Sequence, residues 1–246
     1  MKIPQKIQRI LDEGYTFQFE QYLRKGWELF SQDIWSFAGF SFLNVAMQLG
    51  LSVIPVIGTI GSLLITVPLN VGYYFVCWHI ESKKKHEFQT FFKGFEFLGP
   101  LVAQYLIQML AVIVLVLPIV GFVFMDWNIL EDDFPSIQPW KFALLLPLIY
   151  LQVAWYWAPM FVIFYKMNFW DALETSRLLV TKKWGVFFLF LFANAIIVFL
   201  GILGLIVGVF FTYSLMQCIM YAAFSDITRL MEEETNDLAD HLIDFN

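Results

Sequence analysis

Charge is scarce in this chain. Asp, Glu, Lys and Arg make up 15% of its 246 residues while 59% are hydrophobic; soluble domains average about 25% and roughly 45–50%. That balance excludes an ordinary soluble domain and points to a membrane protein. Reactive residue types are equally thin. Two cysteines, Cys77 and Cys218, exclude a disulfide framework, and both lie in apolar runs where a reduced, packed thiol is the default. The three histidines, His79, His86 and His241, share no ligand spacing. His86-Glu87 opens like a zincin helix, but Thr90 stands where the second imidazole must be. There is no G-x-S-x-G, P-loop or dinucleotide fingerprint. No catalytic, cofactor or metal residue is therefore assigned, and the chain is expected not to be an enzyme.

The charges that exist are segregated. Four runs lack Asp, Glu, Lys and Arg: Ile34 to Ile80, Phe97 to Met125, Phe142 to Tyr165 and Trp184 to Ser225, of 47, 29, 24 and 42 residues. A spanning helix needs about 20 apolar residues, so the first and last runs hold two crossings each and the middle two one each. Six transmembrane helices are expected, and an all-α polytopic fold, because barrel strands would show charges or turn residues far more often. Fourteen of the fifteen basic residues fall on one side of these crossings, Lys141 alone on the other. The positive-inside rule makes that side cytoplasmic and puts both termini there. No apolar core with a cleavage site occupies the first thirty residues, so no cleavable signal peptide is expected. The net charge of −6 reflects acids in Glu131-Asp132-Asp133 and in the tail; nothing points to nucleic acid.

A phrase recurs: Lys25 to Phe30 reads KGWELF and Lys93 to Leu98 reads KGFEFL. Downstream of each comes a second echo, IPVIG at Ile54 to Gly58 and LPIVG at Leu117 to Gly121, with a fainter GLIVG at Gly204 to Gly208. At an offset of 150 residues Phe19 matches Phe169, Leu23 matches Leu173 and Asn44 matches Asn194. These echoes predict three helical hairpins of one shared topology, about 17–80, 86–165 and 168–226, within a single membrane domain of residues 1–226. Each hairpin would open with an aromatic amphipathic helix on the cytoplasmic surface, apolar side toward the acyl chains: Phe19, Leu23, Trp27 and Phe30 in the first; Phe88, Phe91, Phe92 and Phe95 in the second; Phe169 and Trp170 in a weaker third. Each would then cross outward, turn at the Pro/Gly motif and return. Residues 227–246 form an acidic cytoplasmic tail, expected to be helical and to dock on the protein's own basic face or on a cytosolic partner.

The KGWELF opening, IPVIG followed by Pro68-Leu69, the FFKGF of Phe91 to Phe95, and Ala172 to Ser176 with Trp184 together resemble a bacterial integral membrane family: the membrane domain of some glycerophosphoryl diester phosphodiesterases and its stand-alone relatives. The resemblance implies a six-helix module in a bacterial cytoplasmic membrane without a transferable active site, since no phosphodiesterase domain accompanies it.

Within the crossings no formal charge is present, which removes the usual carrier for proton or ion coupling. The polar residues that remain include Asn44, Gln48, Asn70, Gln104, Gln108, Gln152, Asn194 and Gln217. Such amides commonly join helices; the sharper reading is a polar cavity for a headgroup or solute, with Asn44 and Asn194 foremost because the repeat matches them. The external acids Asp126, Glu131, Asp132 and Asp133 lack calcium-loop spacing. Gly204 and Gly208 are expected to let the fifth and sixth crossings approach, and Pro68, Pro147 and Pro159 to kink theirs. The favoured function is a non-enzymatic membrane module that binds membrane lipids, or a membrane or envelope protein partner, as an accessory or scaffold. The alternatives are a transporter or lipid-translocating protein with a site between the repeats, and an inner-leaflet lipid enzyme using His79, His86 and Glu87.

Overall fold

The computed structural model describes residues 3–54, 57–125, 143, 145–204 and 207–232. They form ten α-helices and one 3-10 segment, with no strand among them: α1 Gln5–Glu13, α2 Phe19–Ser31, α3 Ile34–Ser52, α4 Ile57–Glu81, the 3-10 segment Phe88–Phe97, α5 Leu98–Met125, α6 Leu146–Ala154, α7 Ala158–Tyr165, α8 Phe169–Thr181, α9 Trp184–Leu203 and α10 Gly208–Thr228. Among the described residues five helical stretches are long and apolar enough to cross a membrane: α3, the 3-10 segment running into α5, α6 with α7, α9 and α10. The remaining expected crossing coincides with α4, a 25-residue helix.

α10 is the hub. It packs against α2, α3, α4 and α9, and α1 also touches it. Its half from Gln217 to Ser225 is buried throughout, with Tyr221 and Phe224 among the largest enclosed side chains. Around it the aromatic residues interlock: Phe40 stacks on Phe91 at 4.3 Å between centroids, and Phe37 meets Phe91 edge-on at 5.4 Å. Trp157 lies edge-on to Phe187 at 4.6 Å.

The repeated glycines are contact points. Gly26 of the KGWELF phrase faces α10, where an added Cβ would lie 2.6 Å from the Ile219 Cα. Gly94 of the KGFEFL phrase meets α4, where a Cβ would overlap the Pro68 carbonyl. Each glycine thus lets an aromatic amphipathic element lie against the backbone of a long helix, which any side chain would prevent. α8 lies on α6 and α7.

These contacts alter the expected roles of several aromatic residues. Phe19, Trp27, Phe88, Phe95 and Trp170 are exposed as a lipid-facing role requires, and Leu23, Phe92 and Phe169 are half-buried. Phe30 and Phe91 are buried at 3% and 0% exposure. They belong to the protein core and not to the acyl chains, because the elements carrying them are wedged against α10 and α4. The second amphipathic element is also a 3-10 run and not an α-helix.

Proline and glycine act partly where expected. The Leu146–Tyr165 stretch is split into α6 and α7 just before Pro159. Proline has no N–H to bond the carbonyl four residues back, and that carbonyl, Trp155, accepts instead from the Ala158 N–H at 3.1 Å, with Gln108 Nε2 at 3.5 Å. The neighbouring Ala154 carbonyl accepts from the Ser176 hydroxyl at 2.7 Å. Pro147 stands in the first turn of α6, where no kink arises. LPIVG is no turn: it lies inside α5, which continues to Met125. The close approach of α9 and α10 is made by Gly201 with Gly208, whose added Cβ would lie 2.5 Å from the Gly201 carbonyl oxygen. Gly204 instead caps α9 and is exposed. The acids Asp126, Glu131, Asp132 and Asp133, and the tail beyond Glu232, lie outside the described residues.

One regularity was not foreseen. Lys83, Lys166 and Arg229 follow α4, α7 and α10 with φ of 54°, 50° and 52°. Glycine is the usual residue for this left-handed closure; a cation there meets the negative end of the helix dipole, which offsets part of the backbone cost.

Candidate functional site

The sequence singled out amides inside the crossings, and the structure gathers some of them where α3, α4 and α10 meet. Tyr73, Ser41 and Ser214 form a chain of 2.7 Å hydrogen bonds, and Ser214 Oγ lies 2.9 Å from the Phe37 carbonyl. Each hydroxyl has one proton, so with Ser214 donating to that carbonyl, Ser41 donates to Ser214 and Tyr73 to Ser41. One turn along α3, Gln48 Nε2 donates to Asn44 Oδ1 at 2.8 Å. Tyr213 donates to Asn70 Oδ1 at 3.0 Å and Tyr74 to Gln217 Oε1 at 2.7 Å. Asn44, Gln48, Asn70 and Gln217 therefore serve this three-helix junction, with Asn44 and Gln217 buried. Gln104 and Gln108 lie apart on α5; Gln108 mends the α6–α7 break, and Gln104 Oε1 is buried without a partner. Asn194 is fully buried on α9 and donates to the Phe190 carbonyl at 2.8 Å, leaving its Oδ1 unpaired. Gln152 is exposed. Cys77 and Cys218 meet sulfur to sulfur at 3.3 Å, both as free thiols.

His79 and His86 are occupied structurally, and His241 lies outside the described residues. His79 Nδ1 is 2.8 Å from the Phe75 carbonyl, so it carries the proton, and Nε2 accepts from Lys93 Nζ at 3.3 Å. His86 pairs with Asp33 at 3.2 Å. Among the described residues no group of three or more His, Cys, Asp or Glu is placed to hold a metal.

A second site, which the sequence reading missed, opens where the basic residues gather. A cavity of about 1030 Å³ is lined by α1 and the loop after it, α2, the end of α4, the turn between α8 and α9, and the end of α10 with the residues after it. Glu81 and Asp226 anchor its floor. Glu81 Oε2 accepts from the Tyr221 hydroxyl at 2.8 Å and the Ser225 hydroxyl at 2.9 Å, while Oε1 is 3.5 Å from Lys25 Nζ. Asp226 Oδ2 accepts from the Tyr22 hydroxyl at 2.9 Å. Burial, and the Asp226 carboxylate beside it, push the Tyr22 hydroxyl well above its ordinary range. Burial pushes Tyr15 up to about 12. Both phenols are therefore neutral donors at physiological pH. Tyr15 donates to the Leu179 carbonyl at 3.0 Å and carries Lys183 Nζ over its ring at 5.6 Å. Lys182 Nζ donates to the Leu11 carbonyl, tying α1 to the turn between α8 and α9.

The arrangement is a charged basin beneath an apolar bundle. Its groups can bind and orient a polar ligand. The three reactive-looking residues at this end, His79, His86 and Glu87, are not among its lining. A signal for it is present in the sequence, since Glu81, Lys183 and Asp226 border charge-free runs and Lys182 adjoins Lys183; the basic residues enter the sequence reading only through orientation, and the acids only as the ends of those runs. A scan against protein-family models, a search of curated proteins and a search of solved structures each returned no match.

Proposed function

We propose that the chain is a non-enzymatic integral membrane module of a bacterial cytoplasmic membrane that binds phospholipid, with six crossings, both termini cytoplasmic and a membrane or envelope protein as its working partner. The observation that carries this reading is the basin of about 1030 Å³ at the basic end, set directly under helices whose outer surfaces are apolar. A charged pocket at headgroup depth and an aliphatic exterior above it are the two surfaces a phospholipid presents needs for.

The three-hairpin reading has support of its own. The 3-10 segment lies on α4, α8 on α7, and α2 on α10. Each amphipathic element thus sits on the return helix of the hairpin before it, with the first element closing on the last helix. The three basic left-handed closures follow those same return helices. That pattern is what a pseudo-threefold axis along the membrane normal produces, and it fits the resemblance to the phosphodiesterase-associated membrane domains.

Purification in a mild detergent followed by lipid analysis tests the function. Lipid retained at a fixed ratio to protein and enriched over the bulk membrane is the expected result; delipidated protein with no lipid on re-addition overturns it. A transport reading is favoured by one feature, the broken α6–α7 crossing with its redirected carbonyls, since discontinuous helices line sites in carriers. Vesicles containing the protein that leak or flip lipid faster than empty vesicles would establish it.

A further inference from the structure

The basin contains four cations, Lys25, Lys182, Lys183 and Arg229, and four carboxylates, Glu13, Glu81, Asp226 and Glu232. A site built for an anion alone would carry an excess of cations, and this one is formally balanced. The charges are also not paired off uniformly. Lys25 and Glu81 satisfy each other, with Tyr221 and Ser225 completing the carboxylate. Among the described residues Asp226 has only the neutral Tyr22 hydroxyl as a side-chain hydrogen-bond partner, and no ion pair holds Lys182, Lys183 or Arg229. The basin therefore offers cations without a carboxylate partner, Lys182 on the Leu11 carbonyl and Lys183 over the Tyr15 ring in the turn before α9 and Arg229 just after α10, together with the Asp226 carboxylate at the end of α10.

We infer that the basin recognises an aminophosphate zwitterion: a phosphate met by Lys182, Lys183 and Arg229, and a primary ammonium met by Asp226. This inference rests on the lipid-binding reading above and narrows it. Lysine and arginine suit phosphate oxygens through charge-assisted hydrogen bonds, and a carboxylate accepts from an ammonium N–H in the same way. Pockets for small ligands span about 300–1,000 Å³, so the cavity has room for the headgroup with its glycerol portion. The chemistry is shared by phosphatidylethanolamine and by free phosphoethanolamine. Phosphatidylglycerol supplies the phosphate without the ammonium, and phosphatidylcholine supplies a cation that has no N–H to donate.

The test is competitive retention on the full chain in phosphatidylcholine nanodiscs doped with equal phosphatidylethanolamine and phosphatidylglycerol, read by native mass spectrometry. Phosphatidylethanolamine should be retained about fivefold over phosphatidylglycerol, the scale of one partly exposed charge pair. Asp226→Asn keeps an acceptor for Tyr22 and should bring that preference to about unity, by lowering phosphatidylethanolamine retention to the level of phosphatidylglycerol while phosphatidylglycerol retention stays as it was. Lys182→Gln combined with Lys183→Gln should weaken both lipids by about fivefold or more. Free phosphoethanolamine added at millimolar concentration separates the sources: displacement of lipid identifies a soluble ligand, and its failure a lipid headgroup. Equal or greater retention of phosphatidylglycerol, or a preference that survives Asp226→Asn, overturns the inference. Absence of any retained lipid overturns the lipid-binding reading itself.

Discussion

The two halves of the bundle are packed differently. Toward the basic end, α3 buries Phe37, Phe40, Ser41 and Asn44, α9 buries Phe187, Phe190 and Asn194, and α10 is enclosed from Gln217 to Ser225. Toward the other end the same helices expose Leu49 and Val53, Phe199 and Leu203, and Val207. α5 shows the contrast most sharply: Leu101 and Gln104 are buried, while Leu110, Val114 and Leu117 are exposed. The cause is the set of extra elements. α2, the 3-10 segment and α8 are wedged among the long helices at the basic end, and no comparable element fills the other end among the described residues. Acyl chains are as apolar as leucine, so association in a bilayer depends on close packing and hydrogen bonds. The difference therefore teaches where stability resides: in the half with interlocked aromatics, contact glycines and shared hydroxyls.

Substitution in matched pairs would break this contrast if it is wrong. Phe91→Ala, which removes a fully buried ring stacked on Phe40, should cost about 3–5 kcal/mol, and Phe199→Ala, exposed toward the other end, under about 0.5. Denaturant titration of the detergent-solubilised protein, followed by tryptophan fluorescence, measures both. Equal losses would mean that the exposed half is covered by something as tightly packed as the core. Next in size is the glycine pair. Gly26→Ala places a Cβ 2.6 Å from the Ile219 Cα and should cost about 1–3 kcal/mol, whereas Gly121→Ala meets nothing within 4 Å and should be neutral or slightly stabilising. The thermal midpoint of the detergent complex reports the difference.

Sequence carried the apolar helices well and their neighbours poorly, for a physical reason. A crossing is written in consecutive residues, so charge-free runs locate α3, α9 and α10 closely. Contacts are written between distant ones. KGWELF is visible as a repeat, but that Gly26 makes room for Ile219 requires knowing that α2 lies on α10, 193 positions apart in number. α1 went unread although Ile3, Ile7 and Ile10 recur at helical spacing; Ile7 and Ile10 are buried beside α10. The echo of IPVIG makes LPIVG read as a turn, yet proline is tolerated within a membrane helix whose neighbours absorb the lost bond. The basin escaped for the same reason as the glycine contact: Lys25, Glu81, Lys182 and Asp226 come from four separate stretches, and only folding joins them.

Smaller effects sharpen the contrast. Tyr73→Phe removes the first donor of the Tyr73–Ser41–Ser214 chain at the α3–α4–α10 junction. Hydrogen bonds between membrane helices average about 0.6 kcal/mol and reach about 1.7, so the loss should fall in that interval and be smaller than that of Phe91→Ala. A larger loss would show that polar contacts, and not aromatic packing, hold the basic end together.

The smallest effect belongs to the surface of α8, outside the crossings. Arg177 grips Glu174 through two nitrogens on one edge of its guanidinium, Nε at 2.7 Å and Nη2 at 2.5 Å, and the guanidinium lowers the Glu174 carboxyl below its ordinary value of 4.5. A depressed folded-state pKa adds stability that is present above the unfolded value and is lost as pH falls through the folded one. The pair is about a third exposed, and exposed pairs of this spacing are worth about 0.3–0.5 kcal/mol. Glu174→Gln should therefore lower stability by that amount at pH 7 and by nothing once pH has dropped well below 4.5. Melting curves of the two proteins across that range should converge on acidification; curves that stay parallel would mean the loss comes from packing of α8 on α6 and α7, which would extend the tightly packed region to a face now read as solvated.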